Sequence, residues 1–407
     1  MKLSGAALTV QDVEKHFGPS AAVGGVSLNL VAGEHLALIG PSGCGKSTML
    51  LIIAGLLRPD AGVVRIGDRT VAGAGAWVEP DRRRVGMVFQ DYALFPHLNV
   101  SANIAFGLDR LPRGEQPARV AEVLALVGLE DLAGRYPHEL SSGQQQRVAL
   151  ARSLAPEPDV ILLDEPFSNL DRALRDNIRV ETKKVLRRAG ATAVLVTHDH
   201  SEALGFGDRV AVMRAGRVLQ VGTPEEVFEF PGDSFVAEFL GVADFLPARR
   251  VDERTVRSEL GALGPLPVPD AGELTVMVRP HELTFEADAG GRATVTGREY
   301  QGTSTLYELT LDSGEGLASR QGPEVTCPLG TRVRPAVAEG KIPVLFCDGR
   351  RVWPPVPDQA PEDSGGRTER EEPRDGFEMG VGAGRGGNPG GGLRRQRRQR
   401  GDGDEPG

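Results

Sequence analysis

Three cysteines in 407 residues are too few for a disulfide framework, and Cys44, Cys327 and Cys347 share no metal-ligand spacing. That usage suits a reducing, cytoplasmic setting. Positive charge is not in excess. The formal net charge of −9 argues against nucleic acid as the main partner. Long hydrophobic runs are missing too. The longest, Met49 to Leu57, falls far short of the ~20 residues that span a bilayer. The chain is therefore expected to meet a membrane only through partners. The N-terminus carries no charged-then-apolar signal segment, and no solenoid-type repeat is present. What remains is ordinary for a soluble globular protein, with 40% apolar and 25% charged residues and enough length for two or three domains.

Against that plain background one stretch is distinctive. Gly40-Pro41-Ser42-Gly43-Cys44-Gly45-Lys46-Ser47-Thr48 fits the phosphate-loop pattern at every fixed position. The run Glu34 to Ile39 before it reads as a short buried strand, and Thr48 to Ala54 after it as a helix. Strand, glycine-rich turn and helix start gather backbone N–H groups around one anion at the positive end of a helix dipole. Lys46 would reach the β- and γ-phosphates, and the Ser47 hydroxyl would hold Mg²⁺.

Residues 1 to about 235 alternate apolar strands with helical stretches, which predicts an α/β unit with a largely parallel sheet. Val160–Leu163 and Ala193–Val196 are continuous apolar runs of the buried parallel kind. Leu8 to Leu30 reads as antiparallel, with turns expected at Gly18-Pro19 and Gly24-Gly25. Val120, Val123, Leu124 and Val127 predict a helix in an insert between the phosphate loop and the later acidic strand. From about Phe245 the texture becomes short β-like runs, at 274–279, 292–297, 306–311, 332–337 and 344–347, which suggest a small barrel or sandwich. Residues 358 to 407 are rich in Gly, Arg, Glu and Pro and are expected to be disordered. The basic run Arg394 to Arg400 in that tail is the one nucleic-acid-like feature, and nearby Asp402, Asp404 and Glu405 weaken it.

Four further signals narrow the chemistry. The strand Val160–Leu163 ends in Asp164-Glu165. There Asp164 can bind the metal, and Glu165 can polarise an attacking water as a general base. Leu140-Ser141-Ser142-Gly143-Gln144 reads as a helix N-cap and first turn, a second anion-binding device. Gln90 follows an apolar strand and precedes aromatics expected to be exposed, which suits contact with metal or water beside a partner surface. His198 follows another buried strand, where it can hydrogen-bond a γ-phosphate, while His198 and His200 lack a third ligand for a metal site.

The order and spacing of phosphate loop, Gln90, Ser141–Gln144, Asp164-Glu165, Ser168-Asn169-Leu170-Asp171 and His198 resemble the ATP-binding cassette (ABC) ATPases over about Leu8 to Leu240. The remainder resembles the regulatory β domain of bacterial importer ATPases, with Val278-Arg279-Pro280-His281-Glu282 similar to its Arg-Pro motif. The resemblance implies an ABC ATPase domain over 1–240, a mixed sheet with a helical subdomain, then an OB-like β domain over 241–357 and the tail over 358–407. It also implies a head-to-tail homodimer around two ATP molecules, with Lys46, Ser47 and Glu165 facing Ser141, Gly143 and Gln144 of the other copy. Phe17 would stack on adenine, Val23 would pad the same ring, and Asp171 would link the two sites. Ser47, Gln90 and Asp164 would share Mg²⁺. Gln90 and residues 91–98 would sense integral-membrane permease subunits, which work with an extracytoplasmic binding protein, at the cytoplasmic face of the inner membrane. Ser142 stands where the family's signature has a first glycine.

Residues 77–98 look like those of ferric-iron importer ATPases, with polyamine and sulfate or molybdate importers sharing much of the segment. A soluble ABC ATPase of another kind is the alternative from a different class. One cassette and no sustained heptads speak against it.

Overall fold

A computed structural model describes residues 5–265, 270, 272–341 and 343–355, apart from the side chains of Arg172 and Ala173. The tail reading for 358–407 lies outside the described residues.

The central sheet has six strands in the order Arg217–Gly222, Arg209–Arg214, His35–Ile39, Thr192–Thr197, Val160–Asp164, Val85–Val88. All neighbours are parallel except the Arg217–Gly222 edge strand. His35–Ile39 is buried at every position, as a strand covered on both faces must be. Parallel pairing puts Ile39 beside Thr197 and Asp164 beside Val196. The loops carrying Lys46, Gln90, Glu165 and His198 therefore leave one edge of one sheet, the carboxyl edge where α/β proteins bind ligands.

A second, antiparallel sheet runs Ser20–Leu30, Leu8–Phe17, Ala61–Ile66, Arg69–Gly73, Ala76–Trp77. The expected turn at Gly18-Pro19 is present, but Gly24-Gly25 makes no turn. It lies inside the continuous strand Ser20–Leu30, where irregular register against the Leu8–Phe17 strand absorbs the glycines. Between the two sheets lies the helix Lys46–Ala54, whose Met49, Leu50, Ile52 and Ile53 join Leu8, Val10, Leu162 and Val196 in one core.

On the other face pack helices Val100–Ala105, Gln116–Val127, Ser142–Leu154 and Arg172–Ala189. The four apolar residues that predicted a helix, Val120, Val123, Leu124 and Val127, are all buried along Gln116–Val127. Each such side chain contributes about 1.5–3 kcal/mol on burial.

From Asp244 the chain is β throughout. Six strands form one sheet and five another, with Leu246, Val276, Val278, Val295, Tyr307 and Leu309 between them. The five predicted runs all appear as strands, joined by others, such as Asp244–Asp252 and Gly316–Gln321, that the sequence did not signal. Arg279 fastens this part to the short helices Pro224–Glu229 and Ser234–Leu240. Its guanidinium is 1% exposed and lies 4.0 Å from the Phe228 ring centre. It donates to Phe228 O at 2.8 Å, Val242 O at 3.2 Å and Ala237 O at 3.4 Å. One planar fork thus satisfies carbonyls that two helix ends leave open.

Candidate functional site

The phosphate loop is confined on two sides. A Cβ on Gly40 would come within 2.1 Å of Met213 O, and one on Gly45, at φ 106°, within 2.1 Å of Ala22 O. Neither position admits a side chain, and Gly45 also needs the left-handed backbone. Pro41, Ser42 and Gly43 form the open rim of the loop. Lys46 is 5% exposed and donates to Gly40 O at 2.7 Å and Pro41 O at 3.0 Å. Cys44 is buried beside it, and burial pushes its thiol pKa up against the pull of the Lys46 charge. Ser47 and Thr48 lie in the first turn of helix Lys46–Ala54, where the helix itself offers the N–H groups no partner.

Ser47 Oγ donates to Asp164 Oδ1 at 3.0 Å. Burial raises the Asp164 carboxyl pKa, opposed by that hydrogen bond. A half-buried carboxylate and a hydroxyl at this separation form an oxygen donor set that fits a hard divalent cation. Glu165 adopts φ 45°, a left-handed geometry costly for any residue but glycine. Its N–H donates to Val196 O at 2.9 Å, and its Oε2 lies 3.0 Å from His198 Nδ1. Gln90 is exposed, and its carbonyl accepts from Asn169 Nδ2 at 2.8 Å. Asp171 caps helix Arg172–Ala189 by accepting from Leu174 N at 3.0 Å.

Ser141 and Gln144 form a reciprocal capping box at the start of helix Ser142–Leu154. Ser142 is the first helical residue and holds no left-handed φ, so serine in the glycine's place carries no backbone strain. Gly143 is buried against Ile178. Among the described residues, no hydrogen bond or ion pair joins Ser141, Gly143 or Gln144 to the phosphate loop.

Val23 is 0% exposed and packs in the core between the sheets. Phe17, by contrast, is 54% exposed at its strand end. One expectation needs correction: the aromatics after Gln90 are not all exposed. Tyr92 is 4% exposed and packs among the helices. Its φ of 61° shows a chain reversal that the sequence did not signal.

Sequence reasoning also passed over Arg83, Arg175, Thr197 and Glu202. Arg83 is 2% exposed and donates to Ile52 O at 2.7 Å and Ile53 O at 2.9 Å, at the far end of the helix that starts in the phosphate loop. A cation there complements the helix dipole. Its only sequence signal was the basic run Arg82-Arg83-Arg84.

The ABC transporter family profile matches residues 23–168, and the TOBE domain profile matches residues 276–344. A ferric-ion import ATP-binding protein of Rhodococcus jostii (strain RHA1) is 49% identical over 76% of this chain and 89% of its own length. A sulfate/thiosulfate import ATP-binding protein of Chromobacterium violaceum is 43% identical over 83% of this chain and 92% of its own. A spermidine/putrescine import ATP-binding protein of Pseudomonas fluorescens (strain Pf0-1) is 42% identical over 78% and 91%. With the phosphate loop, the acidic strand end and His198 on one sheet edge, and a TOBE domain behind them, the chain belongs to the ABC transporter family as an ATP-binding, ATP-hydrolysing subunit.

Proposed function

We propose that this subunit powers an importer of ferric iron, working as a peripheral homodimer on integral-membrane permease subunits at the cytoplasmic face of the cell membrane. Residues 1–240 act as the cassette and 241–357 as the regulatory domain. The observation that carries the reading is the joint placement of Lys46, Ser47, Asp164, Glu165 and His198 at one sheet edge.

In this reading Lys46 exchanges the carbonyls of Gly40 and Pro41 for phosphate oxygens, and the N–H groups of residues 43–48 hold the rest of the phosphate chain. Ser47, Asp164 and Gln90 would hold Mg²⁺, which would supply charge neutralisation to the phosphates when bound. Glu165 accepts a proton from water, and His198 orients Glu165 while its exposed ring meets the γ-phosphate. Phe17 stacks on adenine. Ser141, Gly143 and Gln144 serve the ATP of the second copy. This is supported by Ser141, which stands exposed at the start of helix Ser142–Leu154. Asp171 faces the partner at the same seam. Because ATP's charge is met only when both halves close, nucleotide favours the dimer and hydrolysis releases it.

Iron as cargo rests on the ferric-ion relatives, which are 48–49% identical in three cases. The polyamine and sulfate relatives at 41–43% support the second reading. The cargo is chosen by other subunits, so the test is uptake. Vesicles carrying the complete transporter and its binding protein, with ATP inside, are offered labelled ferric iron, spermidine or sulfate. Iron uptake with stimulated ATPase supports the proposal. Stimulation by spermidine or sulfate alone replaces it.

A further inference from the structure

Leu170-Asp171 and His198 lie on separate loops, yet one arginine reaches both. Arg175 stands one turn into helix Arg172–Ala189, with its backbone N–H donating to Asp171 O at 2.9 Å. Its Nη2 donates to Leu170 O at 3.0 Å. On its other side, Nη1 lies 3.6 Å from Asp199 Oδ2 and Nε 3.7 Å from Glu202 Oε1.

Those two acids frame His198. Asp199 follows it directly and caps helix His200–Phe206, accepting from Glu202 N at 3.0 Å. Thr197 precedes it. The Thr197 hydroxyl donates to Glu202 Oε2 and accepts from Asp199 N at 3.0 Å. Glu202 is 4% exposed. The Thr197 hydroxyl thus links the backbone that follows His198 to one buried carboxylate. Two neighbouring carboxylates in a part-buried site need a cation to stay ionised, and Arg175 faces both. A lysine would bring the charge. Only the planar guanidinium can also hold a carbonyl on the opposite side.

We propose that Arg175 is a positioning residue that couples the Asp171 loop to His198, so that contact of Asp171 with a second copy of the chain sets His198 for hydrolysis. This rests on the roles given above to Glu165, His198 and Asp171. The plainer alternative is that Arg175 only steadies the start of its helix, in which case turnover does not depend on it.

The test is steady-state ATPase kinetics and nucleotide titration of the full chain carrying Arg175→Ala, Arg175→Lys, Glu202→Gln, and Arg175→Ala with Glu202→Gln together. Arg175→Ala is expected to lower kcat about tenfold or more while ATP affinity stays within about twofold. Arg175→Lys should recover part of the loss. The double variant should lose no more than Arg175→Ala alone, because both changes break one network. An unchanged kcat, a parallel fall in kcat and affinity, or additive losses would overturn the proposal. If Arg175→Ala gives no folded protein, Arg175→Lys carries the test: a smaller kcat loss at unchanged affinity supports the coupling, and an unchanged kcat overturns it. Glu165→Gln separates the two levels. Normal turnover in that variant defeats the underlying roles, whereas an inactive Glu165→Gln beside a fully active Arg175→Ala defeats the coupling alone.

Discussion

His198 Nδ1 lies 3.0 Å from Glu165 Oε2, although 33 residues separate them in the chain. The contact exists because strands Val160–Asp164 and Thr192–Thr197 are parallel neighbours and end together. A glutamine at 165 keeps the hydrogen bond to His198 but cannot take a proton. Glu165→Gln should therefore bind ATP with wild-type affinity, lower kcat by about 100-fold or more, and accumulate an ATP-loaded dimer on gel filtration. A normal turnover rate in that variant would remove Glu165 from its role.

Lys46 spends its donors on Gly40 O and Pro41 O, contacts internal to the loop that a phosphate can replace. Lys46→Ala should fold and weaken nucleotide binding by about tenfold or more. Titration with a fluorescent ATP analogue measures this. Unchanged affinity would show that the loop's N–H groups suffice without the ammonium.

Ser142 is helical, so restoring glycine gains nothing. Ser142→Gly should leave ATPase activity within about twofold and cost about 0.5 kcal/mol of helix stability. A marked rise in activity would mean that the position leaves the helix during turnover.

Arg279 joins the β domain to the helix ends of the cassette. Arg279→Ala leaves the carbonyls of Phe228, Val242 and Ala237 without that donor and should destabilise the chain by about 3 kcal/mol in urea unfolding. A change below about 1 kcal/mol would show that water takes the arginine's place.

His35 is 0% exposed, stacked on Phe206 at 5.3 Å. Burial, aided by the Arg187 charge, lowers its pKa to about 4. Between that value and its ordinary one near 6.5, the unfolded chain holds a proton that the folded chain does not. Stability should thus fall as pH drops from 6.5 toward 4, by up to about 3 kcal/mol from this group. Unfolding curves at pH 7.5 and pH 5 measure the slope, and His35→Phe should flatten it. An equal slope in both proteins assigns the effect to other groups.

The cassette was legible because its signals are local. The phosphate loop, the acidic strand end and the spacing of Val120, Val123, Leu124 and Val127 each declare themselves within a dozen residues. The β domain was half legible. Strand Asp244–Asp252 is exposed along its second half, where Arg249, Arg250 and Asp252 hide the alternation that marks a sheet. The burial of Arg83 and Arg279 was illegible for another reason. A charged side chain is a surface residue by default, and only the fold reveals the carbonyls that bring these two inside. Arg175 belongs with them, since its partners come from two loops far apart in the chain.

The left-handed backbone at Glu165 sets chemistry against endurance. A glycine there would relax the main chain at the position where the carboxylate is needed, and Glu165→Gly would recover up to about 1 kcal/mol of that strain as it lost its base. Selection for heat resistance alone would be drawn to residue 165 and would return sturdier proteins with no turnover.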